Sequence, residues 1–196
     1  MKKLILVPFL IFVCSAFGQT PALDALRAKA KQGDPAAMKR IGDFYLVGRG
    51  GVQKNLLIAQ AWRRRAFDVF QKLANEGDAE AQWNLGNLYN DGMGTPRDME
   101  EATKWYLKAA EQGYAIAQRR IAIRYSAGLS VTRDYAESAK WYLKAAEQGD
   151  EYAQWSIGKM YIDGRGVARD MDKAKFWLEK SAAQGNEEAA KLLKTL

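Results

Sequence analysis

This chain has no histidine, and its single cysteine, Cys14, lies close to the N-terminus. The absence of imidazole excludes histidine-based catalytic triads, and the lack of any later thiol excludes the usual Cys/His zinc sites. No disulfide can staple the body of the chain, so packing must hold it together. No stretch beyond residue 18 is apolar enough to span a membrane. Charge of one sign is also scarce: 30 basic residues face 23 acidic ones, a net charge of +7. Both signs are interspersed along the chain, which gives only a slight pull towards an acidic partner surface. The one basic run, Arg63-Arg64-Arg65, falls in a helical context where its members point in three directions. It reads as a solvated helix face, and nothing in it points to nucleic acid.

The N-terminus differs from the rest. Lys2 and Lys3 precede an apolar run from Leu4 to Cys14, followed by Ala16-Phe17-Gly18. A basic start, a short apolar core and small residues form a secretory signal, with cleavage expected after Gly18. The run is too short for a spanning helix and Pro8 interrupts it. A lipid anchor on Cys14 is the weaker reading, since bulky Val13 stands where a small residue is needed. The expected product is exported and periplasmic. Losing residues 1–18 leaves 28 basic against 23 acidic residues, a net charge of +5.

What the chain does have is a period. Gly33, Gly77, Gly113, Gly149 and Gly185 recur within one phrase: AKQGDPAAM, ANEGDAEAQ, AEQGYAIAQ, AEQGDEYAQ, AAQGNEEAA. The last four glycines are 36 residues apart and the first interval is 44. A fixed period of this size marks an array of helix pairs. Counting from each glycine, Ala37, Ala81, Ala117 and Ala153 lie four places on, and Ile41, Leu85, Ile121 and Ile157 eight places on. Tyr45, Tyr89, Tyr125 and Tyr161 lie twelve places on, so the three positions make one buried stripe of a first helix. Gly42, Gly86, Ala122 and Gly158 sit beside that stripe. A glycine there costs about 1 kcal/mol against alanine, which fits a close approach to the small residues Ala59, Ala102, Ser138 and Ala174 of the second helix.

Asp34, Asp78, Asp150 and Asn186 are expected to cap first helices, with Pro35 at a first helical position. Glycine loops close those helices. Asn55, Asp98, Asp134 and Asp170 are expected to cap second helices, and Asp98 with Glu101 and Asp134 with Glu137 read as capping boxes. Trp105, Trp141 and Trp177 anchor the second helices in the core. Two repeats depart from the pattern. The first carries eight extra residues, one in its loop and seven, almost two turns, in its second helix. The third has Ala122 for glycine and Ser130 for a loop glycine, which predicts a less regular turn.

The recurring pattern A-x-x-L-G-x-x-Y…G-x-G-V…D…A…W-Y-x-K-A-A-x-Q-G resembles the Sel1-like repeat family, relatives of the tetratricopeptide repeats. The resemblance implies an all-α fold: a right-handed α-solenoid of about four helix-pair repeats with incomplete terminal units and a concave binding face. The expected layout is a leading half-repeat helix over 19–33, repeats over 34–77, 78–113, 114–149 and 150–185, and a capping helix over 186–196. The family acts mostly through adaptors and regulators without catalysis, so no cofactor and no metal is expected.

A second face of the first helices varies in chemistry where the stripe does not. It carries Lys39, Asp43, Trp83, Asn87, Arg119, Ile123, Tyr152, Trp155 and Lys159, the candidate protein-binding groove. Aromatics beside cations and amides have the composition of a binding hot spot, although Trp83 and Trp155 also suit packing between neighbouring repeats. Ser156-Ile157-Gly158-Lys159 matches the S-x-x-K of serine enzymes that act on penicillins. Ile157 and Gly158 are repeat positions and no companion motif exists, so the match reads as coincidence. The carboxylates sit mainly at caps and on exposed faces, so no acid/base pair is signalled. The reading is a non-enzymatic exported scaffold that binds another protein. The alternatives are an immunity protein neutralising a secreted toxic effector such as a phospholipase, and an enzyme acting on cell-wall material.

Overall fold

The structure, a computed structural model, describes residues 21–196. The expected signal segment lies outside the described residues. Ten α-helices and no strand occur among those residues: α1 (Pro21–Lys31), α2 (Pro35–Val47), α3 (Leu56–Asn75), α4 (Ala79–Asp91), α5 (Met99–Glu111), α6 (Ala115–Ala127), α7 (Tyr135–Glu147), α8 (Glu151–Asp163), α9 (Met171–Ala183) and α10 (Glu187–Leu193). The fold is an all-α repeat solenoid. Helices α2, α4, α6 and α8 each have 13 residues, as do α5, α7 and α9, whereas α3 has 20. The seven extra residues of the first repeat therefore lengthen its second helix, as the sequence implies.

Two compact units divide at Arg63/Arg64, inside α3. The first contains α1, α2 and the start of α3. Here Asp34 caps α2 by accepting from the Ala37 amide, Pro35 opens the helix, and Leu23, Ala30, Ala37 and Ile41 are buried. A Cβ on Gly42 would meet Arg63 Cγ at 2.9 Å and the Ala59 carbonyl oxygen at 3.0 Å. The glycine thus stands where two helices come closest. The three-arginine run is not uniformly solvated. Arg63 is buried and donates to Asp43, because its stem lies over Gly42 and its guanidinium reaches the acid beside it.

The second unit stacks α4 with α5, α6 with α7 and α8 with α9, each pair packing on the next. Its core is the expected alanine and leucine or isoleucine positions together with Trp105, Trp141, Trp177, Tyr106 and Tyr142 from the second helices. At the third stripe position Tyr161 is buried, whereas Tyr89 and Tyr125 are half-buried because they sit at the edge beside the loops. A Cβ on Gly86 would lie 2.6 Å from the Tyr106 ring and 3.2 Å from the Ala102 carbonyl; one on Gly158 would lie 2.8 Å from Leu178 Cγ. The close approach involves the small residue as expected, and also the large side chain one turn later.

The second-helix caps are half of what the sequence suggests. Asp98 and Asp134 accept from the amides of Glu100 and Glu101, and of Ala136 and Glu137. The reciprocal halves of the capping boxes do not form. The backbone amides of Asp98 and Asp134 donate instead to the carbonyls of Tyr89 and Tyr125, tying each second helix to the first. This frees Glu101 and Glu137 to pair with Lys104 and Lys140. The turn after α6 is also more regular than expected. Ser130 adopts φ 57°, the left-handed conformation that Gly94 and Gly166 hold at the same repeat position. The turn keeps its shape, and the serine carries a strain of about 1–2 kcal/mol that glycine would not.

A row of buried amides runs through the second unit. The Nε2 groups of Gln82, Gln118 and Gln154 donate to the carbonyls of Ala74, Ala110 and Ala146, each at 3.1 Å. Their Oε1 atoms accept from Gln112, Gln148 and Gln184 at 2.7–2.8 Å. Each rung thus joins the end of one second helix, the next first helix and the end of the following second helix. The rungs satisfy side chains that would otherwise be costly to bury.

Candidate functional site

The nine groove candidates divide by unit. In the first, Lys39 and Asp43 lie one turn apart on α2 at 3.9 Å, and Asp43 is held more tightly by Arg63 at 2.7 Å. The pair is half-buried: Arg63 is covered while Asp43 keeps one side to solvent, and the carboxylate is largely committed.

In the second unit the candidates fall into two clusters. The first surrounds α4. Trp83 packs on Tyr106 (ring centroids 5.0 Å) and Tyr114 (6.2 Å), with the Arg120 guanidinium over its ring at 5.7 Å. Asn87 accepts from the Tyr106 hydroxyl at 2.8 Å, and Ile123 packs against the core cluster. These residues join neighbouring repeats. The same seam holds Arg124, almost fully buried, where the other repeats place Phe44, Leu88 and Met160. It donates to Asn90 Oδ1 at 2.8 Å and lies over the Tyr106 ring at 5.1 Å, while its Nε has no partner. Burial lowers its pKa from the ordinary arginine value, the largest of several causes.

The second cluster is on α8. Tyr152, 42% exposed, stands against Trp155 with ring centroids 5.3 Å apart, and exposed Lys159 places its ammonium over the Trp155 ring at 4.7 Å. Arg119 reaches across from α6, donating to Asp150 at 2.9 Å with its guanidinium 5.7 Å from the Tyr152 ring. Sequence reasoning singled out Arg119 as an available cation, and the structure gives it an acidic partner. Asp150 also caps α8 through the Ala153 amide, so one carboxylate anchors both the helix start and the arginine. The phrase EQGDEYAQ against EQGYAIAQ held the signal: only the former offers an acid at the cap. Ser156 is buried beside Tyr142, whereas Lys159 on the same helix lies over Trp155. The pair serves packing and the aromatic patch respectively. Burial pushes the Tyr142 and Tyr106 hydroxyls up to about 12.

A sequence profile of the Sel1 repeat matches residues 35–78, 79–114, 115–150 and 151–186. The chain belongs to the Sel1 repeat family. Sel1 repeats mediate protein–protein interaction, and the family and its regulator or adaptor relatives are generally non-catalytic. A Sel1 repeat protein from Oxalobacter formigenes superposes with a TM-score of 0.70 at 34% identity, covering 91% of this chain and 50% of that one. A protective antigen of uropathogenic Escherichia coli strains, displaying an SLR fold, gives a TM-score of 0.69 at 38% identity, covering 87% of this chain and 35% of that one. The chitin synthase regulator SKT5 of Saccharomyces cerevisiae is 39% identical over 80 residues, which is 40% of this chain and 10% of the regulator. This chain spans about a tenth of the length of the first curated relatives it matches. No helix among the described residues is long and apolar enough to cross a membrane.

Proposed function

We propose that this protein is a non-enzymatic, exported scaffold that holds another protein on the exposed face of α8, with the periplasm as its compartment. The α8 patch carries this reading. Tyr152, Trp155 and Lys159 gather two aromatics and a cation, with Tyr152 and Lys159 exposed, where the equivalent Trp83, half-buried like Trp155, contacts Tyr106, Tyr114 and Arg120. Rigid aromatics beside a positive charge supply most of the affinity in many interfaces. A partner with an acidic rim suits Lys159 and the overall basic balance. Relatives named as a chitin synthase regulator and as a ubiquitin-ligase component support a scaffold role. Residues 1–18 support export.

Affinity capture from the periplasm, with partners identified by mass spectrometry, tests both parts. Trp155→Ala and Lys159→Glu are expected to weaken capture of one partner, Trp155→Ala by about 2 kcal/mol, the hot-spot scale. Unchanged capture by both variants would overturn the site. Recovery of the protein only from the cytoplasm would overturn the compartment.

A further inference from the structure

Helix α4 rests in a cradle of four positions. Ala102 and Tyr106 of α5 receive Gly86, whose added Cβ would lie 3.2 Å from the Ala102 carbonyl and 2.6 Å from the Tyr106 ring. Arg120 and Arg124 of α6 close the other side, one over Trp83 at 5.7 Å and one bonded to Asn90 at 2.8 Å. Counted from the repeat glycine, the same four positions in the first unit are Ala22, Leu26, Arg40 and Phe44. There they line an open cleft of 230 Å³, together with Ala25 and Lys29, between α1 and α2. Ala102 and Tyr106 are buried, whereas Ala22 is exposed and Leu26 half-buried. Leu88, Arg124 and Met160 are buried, whereas the equivalent Phe44 is only half-buried. Among the described residues, α1 is a second helix with no first helix before it.

We infer that the α1–α2 cleft is a docking slot for one amphipathic helix of another protein, carrying a glycine or alanine at its centre, an aromatic three residues earlier, and acidic flanks. The small residue is required because every first helix of the four repeats has Gly42, Gly86, Ala122 or Gly158 at the point of closest approach. The aromatic follows from Arg40, which stands where Arg120 covers Trp83. The acidic flanks follow from exposed Lys29 and Arg40 in the lining. Among the described residues the helix that fits this description, α4, is already committed to its own repeat. In repeat register, α10 of a second copy would bring Lys194 to the close-approach position. A helix laid into an apolar groove is a common recognition mode, and here the groove copies the repeat's own internal interface.

A peptide of residues 78–91, blocked at both ends and fluorescently labelled, is the probe. It carries Trp83, Gly86 and three carboxylates with no cation. Anisotropy titration against the purified protein is expected to show saturable one-to-one binding. Gly86→Leu in the peptide should weaken it about tenfold or more, and Ala22→Trp in the protein should abolish it. Arg40→Glu, at the exposed rim, should weaken binding several-fold at low salt and less at high salt. Circular dichroism and melting curves confirm that both protein variants fold. The inference is overturned by absence of saturable binding, or by binding indifferent to both Ala22→Trp and Arg40→Glu. Self-association of the protein that Ala22→Trp removes would overturn it too, assigning the slot to a second copy.

Discussion

The third helix pair, α6 with α7, and the fourth, α8 with α9, share one backbone plan, yet the third departs from the repeat's usual residue at four positions that shape it. The fourth has an aspartate cap at Asp150, Gly158 at the helix crossing, Met160 in the core and Gly166 in the loop. The third has Tyr114, Ala122, Arg124 and Ser130 at these places. Each departure is met locally. Tyr114 makes no side-chain cap bond and packs on Trp83 instead. Ala122 faces Ser138, whose hydroxyl donates to the Ala122 carbonyl at 2.8 Å. Arg124 finds Asn90 and the Tyr106 ring. A repeat can therefore lose its consensus residue when a neighbour supplies the missing contact, and such exchanges leave the plan intact.

Three substitutions test how far that exchange reaches. The largest effect is expected from Gly158→Leu. The added Cβ alone would lie 2.8 Å from Leu178 Cγ and 3.3 Å from the Ala174 carbonyl, and backbone cannot move aside cheaply. A loss of about 3 kcal/mol is expected from urea denaturation, at the upper end of overpacking penalties. A Gly158→Leu protein within about 1 kcal/mol of the parent would show that the fourth crossing is as tolerant as the third.

Alkaline pH should separate the pairs next. Tyr142 in α7 has its hydroxyl at about 12, and Leu178 takes its place in α9. The unfolded phenol ionises near 10, two units lower. The neutral folded form is thus favoured, and its contribution is complete below pH 10. It is lost as pH rises towards and through 12, by roughly 2–3 kcal/mol. Tyr106 adds a similar loss. The melting temperature should fall steeply between pH 10 and 12, and Tyr142→Leu, the fourth pair's residue, should remove about half of that slope. An unchanged slope would mean that Tyr142 reaches solvent.

The smallest effect concerns Arg124→Met, which copies Met160. Burying a guanidinium with one nitrogen unpartnered gains little over an apolar side chain of similar length. The variant is expected to melt at the parent's temperature or slightly above, a gain of up to about 1 kcal/mol. A clear loss of stability would make the Asn90 bond and the Tyr106 contact structural necessities.

The helices and their boundaries were legible because glycines, caps and the apolar stripe all repeat with one period, so each reading was checked four times over. The extra turns of α3 followed from counting alone. The capping boxes were misread because a local pattern, aspartate then glutamate three places on, could not register a competing acceptor. The Tyr89 and Tyr125 carbonyls reach the cap amides only once the two helices fold together. The candidate face was legible as a set of variable positions, but not its division. Trp83 and Trp155 occupy one repeat position, and only their neighbours distinguish them: Tyr106, Tyr114 and Arg120 around the former, Tyr152 and Lys159 around the latter. Arg119 looked available because its partner Asp150 lies 31 residues away.

The glutamine rungs bear on how such an array can change length. Gln118 donates to a carbonyl in the last turn of the preceding repeat and accepts from Gln148 at the end of its own, so each rung is completed across one repeat boundary. Removing the whole module 78–113 brings Gln118, with its partner Gln148, to the Ala74 carbonyl in place of Gln82, and every amide is again matched. Removing half a module strands a buried amide on one side of the cut. Gene rearrangements that duplicate or excise entire repeats are therefore silent to this network, whereas those that break within a repeat are penalised at once. The polar thread sets the quantum in which the protein can grow or shrink.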